Sequence, residues 1–297
     1  MNPTHIGEFS ALLTAFFWVI SGMLFERASK RTTSLAVSFL RMIFGLAFIS
    51  VFLWISRGNP FATDASPSAW LWLSLSGVVG FVIGDVFLFE AYVRIGTRIT
   101  LLLMSLSPVL TGVLSYFIFG EVLEPLAVVG IALTLAGIAV VILTRGEKRN
   151  LKLRVNSYGV FCGLMGAVGQ SIGLILSKHG MGDYDAFAAT QVRIIASVVG
   201  FSLFFLIGNH WQKLRVLLSD GQSTRMTAAG ALFGPVLGVG FSLLAIQNVP
   251  AAIAAAIMSI MPVLIIPINW LAFREKIKWF EVLGALVTVV GVILLYL

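Results

Sequence analysis

The stretches "MSLSPVL" at residues 104–110 and "MSIMPVL" at residues 258–264 are nearly the same apolar, proline-containing phrase, 154 positions apart. Upstream, an offset of 152 aligns Arg41 with Arg193. Apolar matches are common in hydrophobic sequences, so the matched polar, small and proline residues decide the comparison. Downstream, where the offset is 154, the matched residues of these kinds include Pro108/Pro262, Glu121/Glu275, Gly130/Gly284, Thr134/Thr288 and Gly137/Gly291. The pattern predicts that the chain contains an internal repeat, in which one structural unit occurs twice.

The composition indicates that the solvent of this chain is a lipid bilayer. Of its 297 residues, 59% are hydrophobic and only 11% are charged, whereas a soluble domain carries about 25% charged residues. A helix needs about 20 apolar residues to cross the hydrocarbon layer. Runs that meet this length lie near 7–26, 34–55, 70–92, 98–119, 125–144, 157–177, 186–207, 227–247, 252–272 and 278–297. The sequence therefore predicts an all-α integral membrane protein with ten transmembrane helices.

The charge distribution predicts how the two units are oriented. Five spans are an odd number, so two copies joined by one loop enter the membrane in opposite directions. Lys and Arg collect in cytoplasmic loops. The loops after every odd-numbered span hold sixteen of the twenty basic residues: Arg27, Lys30, Arg31, Arg94, Arg98, Arg145, Lys148, Arg149, Lys152, Arg154, Lys213, Arg215, Arg225, Arg274, Lys276 and Lys278. We therefore expect inverted repeats at 1–144 and 157–297, a basic cytoplasmic linker at 145–156, and both termini outside.

The paired prolines predict where the helices of each repeat are broken. Pro108 and Pro262 fall near the centres of spans 4 and 9, and a proline removes one backbone hydrogen bond and crowds the preceding turn. Inverted repeats with matching broken helices commonly bind substrate near the midplane and work by alternating access. Met104 and Met258 flank the prolines, and their flexible thioethers suit variable ligands or simple packing.

The chain also resembles a known family. The residues that carry the resemblance are the Trp-containing "TAFFWVISGMLF" (14–25), "RMIFGL" (41–46), "EAYVRIGTRITLLLMSLSPVLTGVLSYFIFGEVL" (90–123) and "FREKIKWFEVLGALVTVVGVILL" (273–295). They resemble the ten-helix EamA-type branch of the drug/metabolite transporter superfamily, over nearly the whole chain. The resemblance implies a metabolite or drug transporter, since members of the branch move amino acids, sugars, nucleotide-linked metabolites or drugs.

Helical spacing picks out candidate binding residues on one face of spans 1 and 6. Thr14, Trp18 and Ser21 share a face of span 1. Their equivalents on span 6 are Gly166, Gln170 and Gly173. A helix face that carries polar or small side chains in both repeats is suited to line a cavity. The alternative is close helix packing through small residues, which is common in membranes.

Charged residues within the spans are candidates for gating or ion coupling. Asp85 and Arg41 each lie about 12 Å from the inner ends of their helices, so an ion pair is expected. The pair is either a structural bridge or one that opens during transport, and Glu90 lies nearer the cytoplasmic end. Arg193 has Val239 where Arg41 has Asp85. Arg193 is therefore either a surface anchor that reaches toward the preceding loop or a cation available to an anionic substrate.

The sequence thus predicts a secondary transporter in a bacterial inner membrane, most simply an exporter of amino acids or related metabolites. Its expected partners are a small-molecule substrate, membrane lipids and protons as a candidate coupling ion, without nucleic acid, as a monomer or homodimer. No catalytic motif, metal cluster or cofactor motif is present. Three alternatives stay open: a multidrug or cation exporter, a nucleotide-sugar carrier of the same fold, and an integral-membrane enzyme acting on lipid-linked substrates.

Overall fold

The computed structural model describes residues 3–144, 157–261, 263–264 and 279–295. The predicted linker at 145–156 and Pro262 lie outside these residues. Every regular element in the described part is helical. The α-helices are α1 (Pro3–Arg31), α2 (Ser34–Arg57), α3 (Pro67–Gly77), α4 (Asp85–Met104), α5 (Ser107–Phe119), α6 (Pro125–Thr144), α7 (Ser157–Met181), α8 (Ala186–Ile207), α9 (Trp211–Ser219), α10 (Gly221–Ala231), α11 (Val239–Asn248), α12 (Ala251–Met258) and α13 (Trp279–Leu295).

A π-helical segment interrupts the third helix of each repeat. The first π segment is Val78–Gly84, between α3 and α4, and the second is Leu232–Gly238, between α10 and α11. The two segments fall at equivalent positions, because the 154-residue offset carries one onto the other. Short π-helical turns inside α-helices are rare and frequently lie at functional sites. The duplication therefore extends from the sequence to an uncommon backbone feature.

Helix α4 corrects one predicted boundary. A loop was expected at 94–98 between spans 3 and 4, but α4 runs without a break from Asp85 to Met104. At the equivalent place in the second repeat, α11 ends at Asn248 and α12 begins after Pro250. Pro250 lacks an N–H and disfavours a helical conformation at the residue before it, whereas Gly96 at the matching position can remain helical.

Both proline phrases interrupt a helix at equivalent residues. In the first repeat the interruption falls at Ser105 and Leu106, and α5 then begins with Pro108 in its first turn. In the second repeat it falls at Ser259 and Ile260, directly after α12.

A second correction concerns the polar stretch 208–226, which was predicted to be a loop. It contains the nine-residue helix α9 and the start of α10. One face of α9 packs on the protein through Trp211, Leu214 and Leu217, while Lys213 and Arg215 are exposed. A short helix with this pattern suits the membrane–water interface. The hydrophobic pattern did not indicate this helix, because its apolar residues are interspersed with polar ones.

Within the described residues, six helical stretches are long and apolar enough to cross a bilayer. They are Thr4–Arg31, Ser34–Arg57, Pro67–Leu88, Ser157–Met181, Ala186–Ile207 and Gly221–Asn248. Shorter apolar helices occur at Ser107–Phe119, Pro125–Val140 and Val282–Leu294. The protein is thus a multi-pass helical membrane protein, and the count of ten spans stays a prediction.

Contacts between the repeats occur in matched pairs. Helix α7 packs on α3, the first π segment and α4, while its equivalent α1 packs on α10, the second π segment and α11. Helix α12, which is equivalent to the C-terminal part of α4, packs on α1 as α4 packs on α7. Two contacts join equivalent helices directly: α2 with α8, and α6 with α13. Exchanging the repeats therefore reproduces these contacts, as an approximate two-fold relation requires.

Candidate functional site

Helix α7 crosses the first π segment with its backbone almost in contact. A Cβ atom added to Gly169 would lie 2.9 Å from Gly84 Cα, and one added to Gly173 would lie 3.0 Å from Gly80 Cα. No side chain fits at these crossings, so small residues here serve close packing. Gly173, one of the residues considered for a cavity wall, is therefore a packing residue in this structure.

Helix α1 makes the equivalent crossing at the second π segment, and there it presents side chains. The Trp18 ring lies where a Cβ on Gly238 would point, with Cδ1 2.5 Å from that position. Ser21 lies beside Gly234, and its hydroxyl donates to the carbonyl of Trp18 at 3.2 Å. Thr14 Oγ1 donates to the Gly238 carbonyl at 3.2 Å. The predicted face of span 1 therefore meets the second π segment.

A buried polar network lies at the end of the first π segment. Arg41 Nη2 donates to Asp85 Oδ2 in an ion pair, and Asp85 is only 3% exposed. Gln170 Nε2 donates weakly to Asp85 Oδ1 at 3.4 Å. The Arg41 guanidinium also lies over the ring of Phe25, 5.3 Å from its centroid. Three of the predicted site residues are thus brought together, and they connect α2, α4 and α7 across the two repeats.

Arg193 occupies the equivalent position on α8 but has different surroundings. It is 4% exposed, and its guanidinium lies over the Phe81 ring, 4.5 Å from the centroid. Its Nε is buried without a hydrogen-bond partner among the described residues. The side chain does not reach the acids of the preceding loop: Asp185 caps α8 by accepting from Ala188 N at 2.7 Å, and Asp183 is exposed. Arg193 therefore points into the protein and does not act as a surface anchor.

The remaining predicted residues lie apart from that network. Glu90 accepts from Arg94 Nε at 2.5 Å, one helical turn along α4, with both side chains partly exposed. Met104 is partly buried at the end of α4, Met258 is buried at the end of α12, and Pro108 is buried in α5. Two surface pockets lie elsewhere: one of about 670 Å³ beside α9 and one of about 240 Å³ near Pro250. Neither is lined by Glu90, Met104, Met258 or Pro108.

The structure adds a polar cluster that the sequence did not reveal. Glu121, just after α5, accepts hydrogen bonds from Ser115, from Lys178 on α7 and, at 3.1 Å, from Ala251 N at the start of α12. Lys178 Nζ also donates to the Val249 carbonyl at 3.2 Å. Burial opposes ionisation of Glu121, but the hydrogen bonds from Lys178 and Ser115 outweigh it, so the pKa of Glu121 lies below its ordinary value. One signal was available: Lys178 is a rare basic residue on the predicted outer side.

A second ion pair that joins the two repeats lies at the C-terminal end of α1. This pair and the Glu121–Lys178 pair are called ties below. Arg31 Nε donates to Asp220 Oδ2 at 2.8 Å, and Asp220 also caps α10. Hydrogen bonds from Arg31 and Ser223 hold the pKa of Asp220 far below its usual range. On the predicted topology the Arg31–Asp220 tie lies on the cytoplasmic side of the membrane, and the Glu121–Lys178 tie lies on the outer side.

The repeated helical fold and the apolar spans define a multi-pass membrane protein, and comparison with known proteins identifies its family. Residues 5–143 and 157–297 each match the EamA-like transporter family, so the chain belongs to that family. Protein LicB of Haemophilus influenzae is 24% identical over 206 residues, which cover 68% of this chain and 68% of LicB. One solved crystal structure is similar with a TM-score of 0.75 and 21% identity, covering 98% of this chain and 95% of that one. At that identity the likeness shows the fold alone.

Proposed function

We propose that this protein is a secondary transporter that moves a small organic metabolite across a bacterial inner membrane by alternating access. The observation that carries the proposal is the matched set of contacts between the repeats, including the two π segments. Two equivalent halves can exchange their conformations, and the exchange would open the region between them first to one side and then to the other.

The proposal includes the inverted arrangement of ten spans with both termini outside. The basic loops support it, because Lys213 and Arg215 on α9 belong to the side that holds most of the basic residues. In this arrangement the Glu121–Lys178 tie holds the outer ends of the helices together, and the Arg31–Asp220 tie holds the inner ends. Each full cycle would break one tie and then the other.

The substrate would bind between the π segments. Trp18 and Ser21 on α1 would contribute beside the second π segment. Gln170 on α7 and Arg193 on α8 would contribute beside the first. Met104 and Met258, at the ends of α4 and α12, have flexible side chains that would adjust to the shape of the substrate. Asp85 is the candidate for proton coupling, since it is a buried carboxylate at the end of a π segment and is shared by Arg41 and Gln170. Glu90 is a second candidate, nearer the surface. A substrate with both charges, such as an amino acid, fits this set, and export is the proposed direction.

The decisive experiment is counterflow in proteoliposomes. A panel of metabolites is first tested for thermal stabilisation of the purified protein, because a ligand that binds only the folded state raises its stability. Vesicles preloaded with an unlabelled compound from that panel should then accumulate the labelled compound transiently and unchanged. A channel would not show counterflow, and an enzyme would alter the compound. Stabilisation without counterflow for every binder would overturn the proposal.

A further inference from the structure

The two arginines at equivalent positions have unequal partners. In the first repeat, Asp85 follows the π segment directly and pairs with Arg41. In the second repeat, Val239 follows the π segment directly and is 4% exposed. The side chain that would neutralise Arg193 is therefore replaced by an apolar one of similar size.

Arg193 nonetheless remains deep within the protein. Its Nη2 lies 3.4 Å from the position of a Cβ on Gly80, and its own backbone carbonyl packs against Gly77. Within the described ranges, no carboxylate lies within salt-bridge distance of Arg193. An arginine that stacks on an aromatic ring uses the flat face of its guanidinium, so its hydrogen-bonding edge stays available. Keeping such a charge buried is costly unless a counter-charge arrives at some stage.

We propose that a carboxylate of the substrate is the counterion of Arg193, and that it takes in the second repeat the place that Asp85 takes in the first. This inference rests on the proposed transport function. A carboxylate fits the planar fork of one guanidinium through two parallel hydrogen bonds. A single guanidinium offers one such fork, which favours a monoanion over a diphosphate. The Phe81 ring beneath the guanidinium would hold its fork in a fixed orientation.

The second repeat lacks a carboxylate at the position equivalent to Asp85, and introducing one by mutation tests the proposal. Val239→Asp places a carboxylate at the position equivalent to Asp85, and Val239→Asn is its uncharged match in shape. Without any ligand, Val239→Asp should unfold at a higher temperature than Val239→Asn. That difference should disappear when Arg193→Gln is added to both. If Val239→Asp is instead less stable than Val239→Asn with Arg193 in place, the two positions are not equivalent and the proposal fails.

Binding is tested with carboxylates as probes. The panel consists of the twenty proteinogenic L-amino acids with succinate, lactate and benzoate, each tested by thermal shift at pH 7. Each stabilising acid is then compared with its carboxamide. Wild-type protein and Val239→Asn should bind at least one acid about tenfold or more tightly than its amide. Arg193→Gln and Val239→Asp should lose that preference, and Arg193→Lys, which keeps the charge without the fork, should retain part of it.

The outcomes separate this inference from the transport function. Failure of every carboxylate to stabilise the wild-type protein, or an acid preference that is equal in all variants, overturns the role of Arg193. Counterflow of another compound would then leave the transporter proposal intact. An acid that binds through Arg193 but shows no counterflow would instead support the site and contradict transport. If Val239→Asp does not fold, the comparison of wild type, Val239→Asn, Arg193→Lys and Arg193→Gln still decides the question.

Discussion

Gly137 on α6 lies directly against Thr288 on α13, so closely that a Cβ on Gly137 would stand 2.3 Å from Thr288 Oγ1 and 2.5 Å from the Gly284 carbonyl oxygen. The reciprocal contact is also present, because a Cβ on Gly291 would stand 2.5 Å from Thr134 Oγ1. These residues are the same ones that match between the repeats in sequence. In lipid, where the solvent is as apolar as the side chains, such close packing holds helices together.

Gly137→Ala should therefore destabilise the protein by about 1–3 kcal/mol or more, since backbone atoms of α13 obstruct the added methyl group. The measurement is the midpoint of thermal unfolding in detergent. Gly22→Ala is the matched control: no atom lies within 4 Å of its added Cβ, and alanine in a helix gains up to about 1 kcal/mol over glycine. Equal unfolding midpoints for the two variants would contradict the contact between α6 and α13.

The orientation of the repeats predicts opposite labelling at two exposed residues. Ser68 near the start of α3 should face outward, and Gln212 on α9 should face the cytoplasm. The native Cys162 is buried, so background labelling should be slow. A membrane-impermeant maleimide should label Ser68→Cys in intact cells and Gln212→Cys only after permeabilisation. The reverse pattern would overturn the proposed topology.

Some of this architecture could be predicted from sequence because it repeats. The matched proline phrases anticipated interruptions that the structure places at Ser105 and Ser259. The matching depths of Arg41 and Asp85 anticipated their contact, because depth along two helices can be counted from residue numbers.

Other features depend on interactions that composition and spacing do not encode. A π segment is a change in hydrogen-bond register, and the residues Val78–Gly84 are as apolar as an ordinary span. The continuation of α4 depends on Gly96 staying helical where Pro250 cannot. Glu121 and Lys178 are far apart in sequence, so only the fold brings them together.

The Glu121–Lys178 tie predicts a pH-dependent contribution to stability. Glu121→Gln should lower stability by about 1–3 kcal/mol at pH 7, because it leaves Lys178 partly buried without its counter-charge. The folded-state pKa of Glu121 is lowered, so its contribution is present above the unfolded value of about 4.3 and is lost as the pH falls below it. The difference from wild type should therefore be largest near pH 7 and shrink below about pH 4.

The neighbouring acid supplies the control for that measurement. Glu124 is exposed, and Glu124→Gln should change stability by no more than about 0.5 kcal/mol at any pH. If Glu121→Gln behaves like Glu124→Gln across the pH range, the tie between α5, α7 and α12 does not contribute to folding.

The Arg41–Asp85 pair predicts a strongly non-additive mutant cycle. Asp85→Asn leaves the buried Arg41 without its carboxylate, and Arg41→Gln leaves Asp85 without its cation. Each single change should cost about 3–5 kcal/mol, whereas Arg41→Gln combined with Asp85→Asn should recover much of the loss, because it removes both charges. Thermal unfolding of the four proteins gives the cycle. Glu90→Gln removes an exposed pair with Arg94 and should cost about 0.5 kcal/mol or less.

Transport by the double variant then distinguishes a structural bridge from a gate. If the pair only satisfies two buried charges, the folded double variant should transport at close to the parent rate with the parent pH dependence. If Asp85 takes up a proton when the pair opens, the double variant should fold but lose the pH dependence of transport, since the Asp85 carboxylate is absent. Single variants that fold and transport like the parent would show that the pair has neither role.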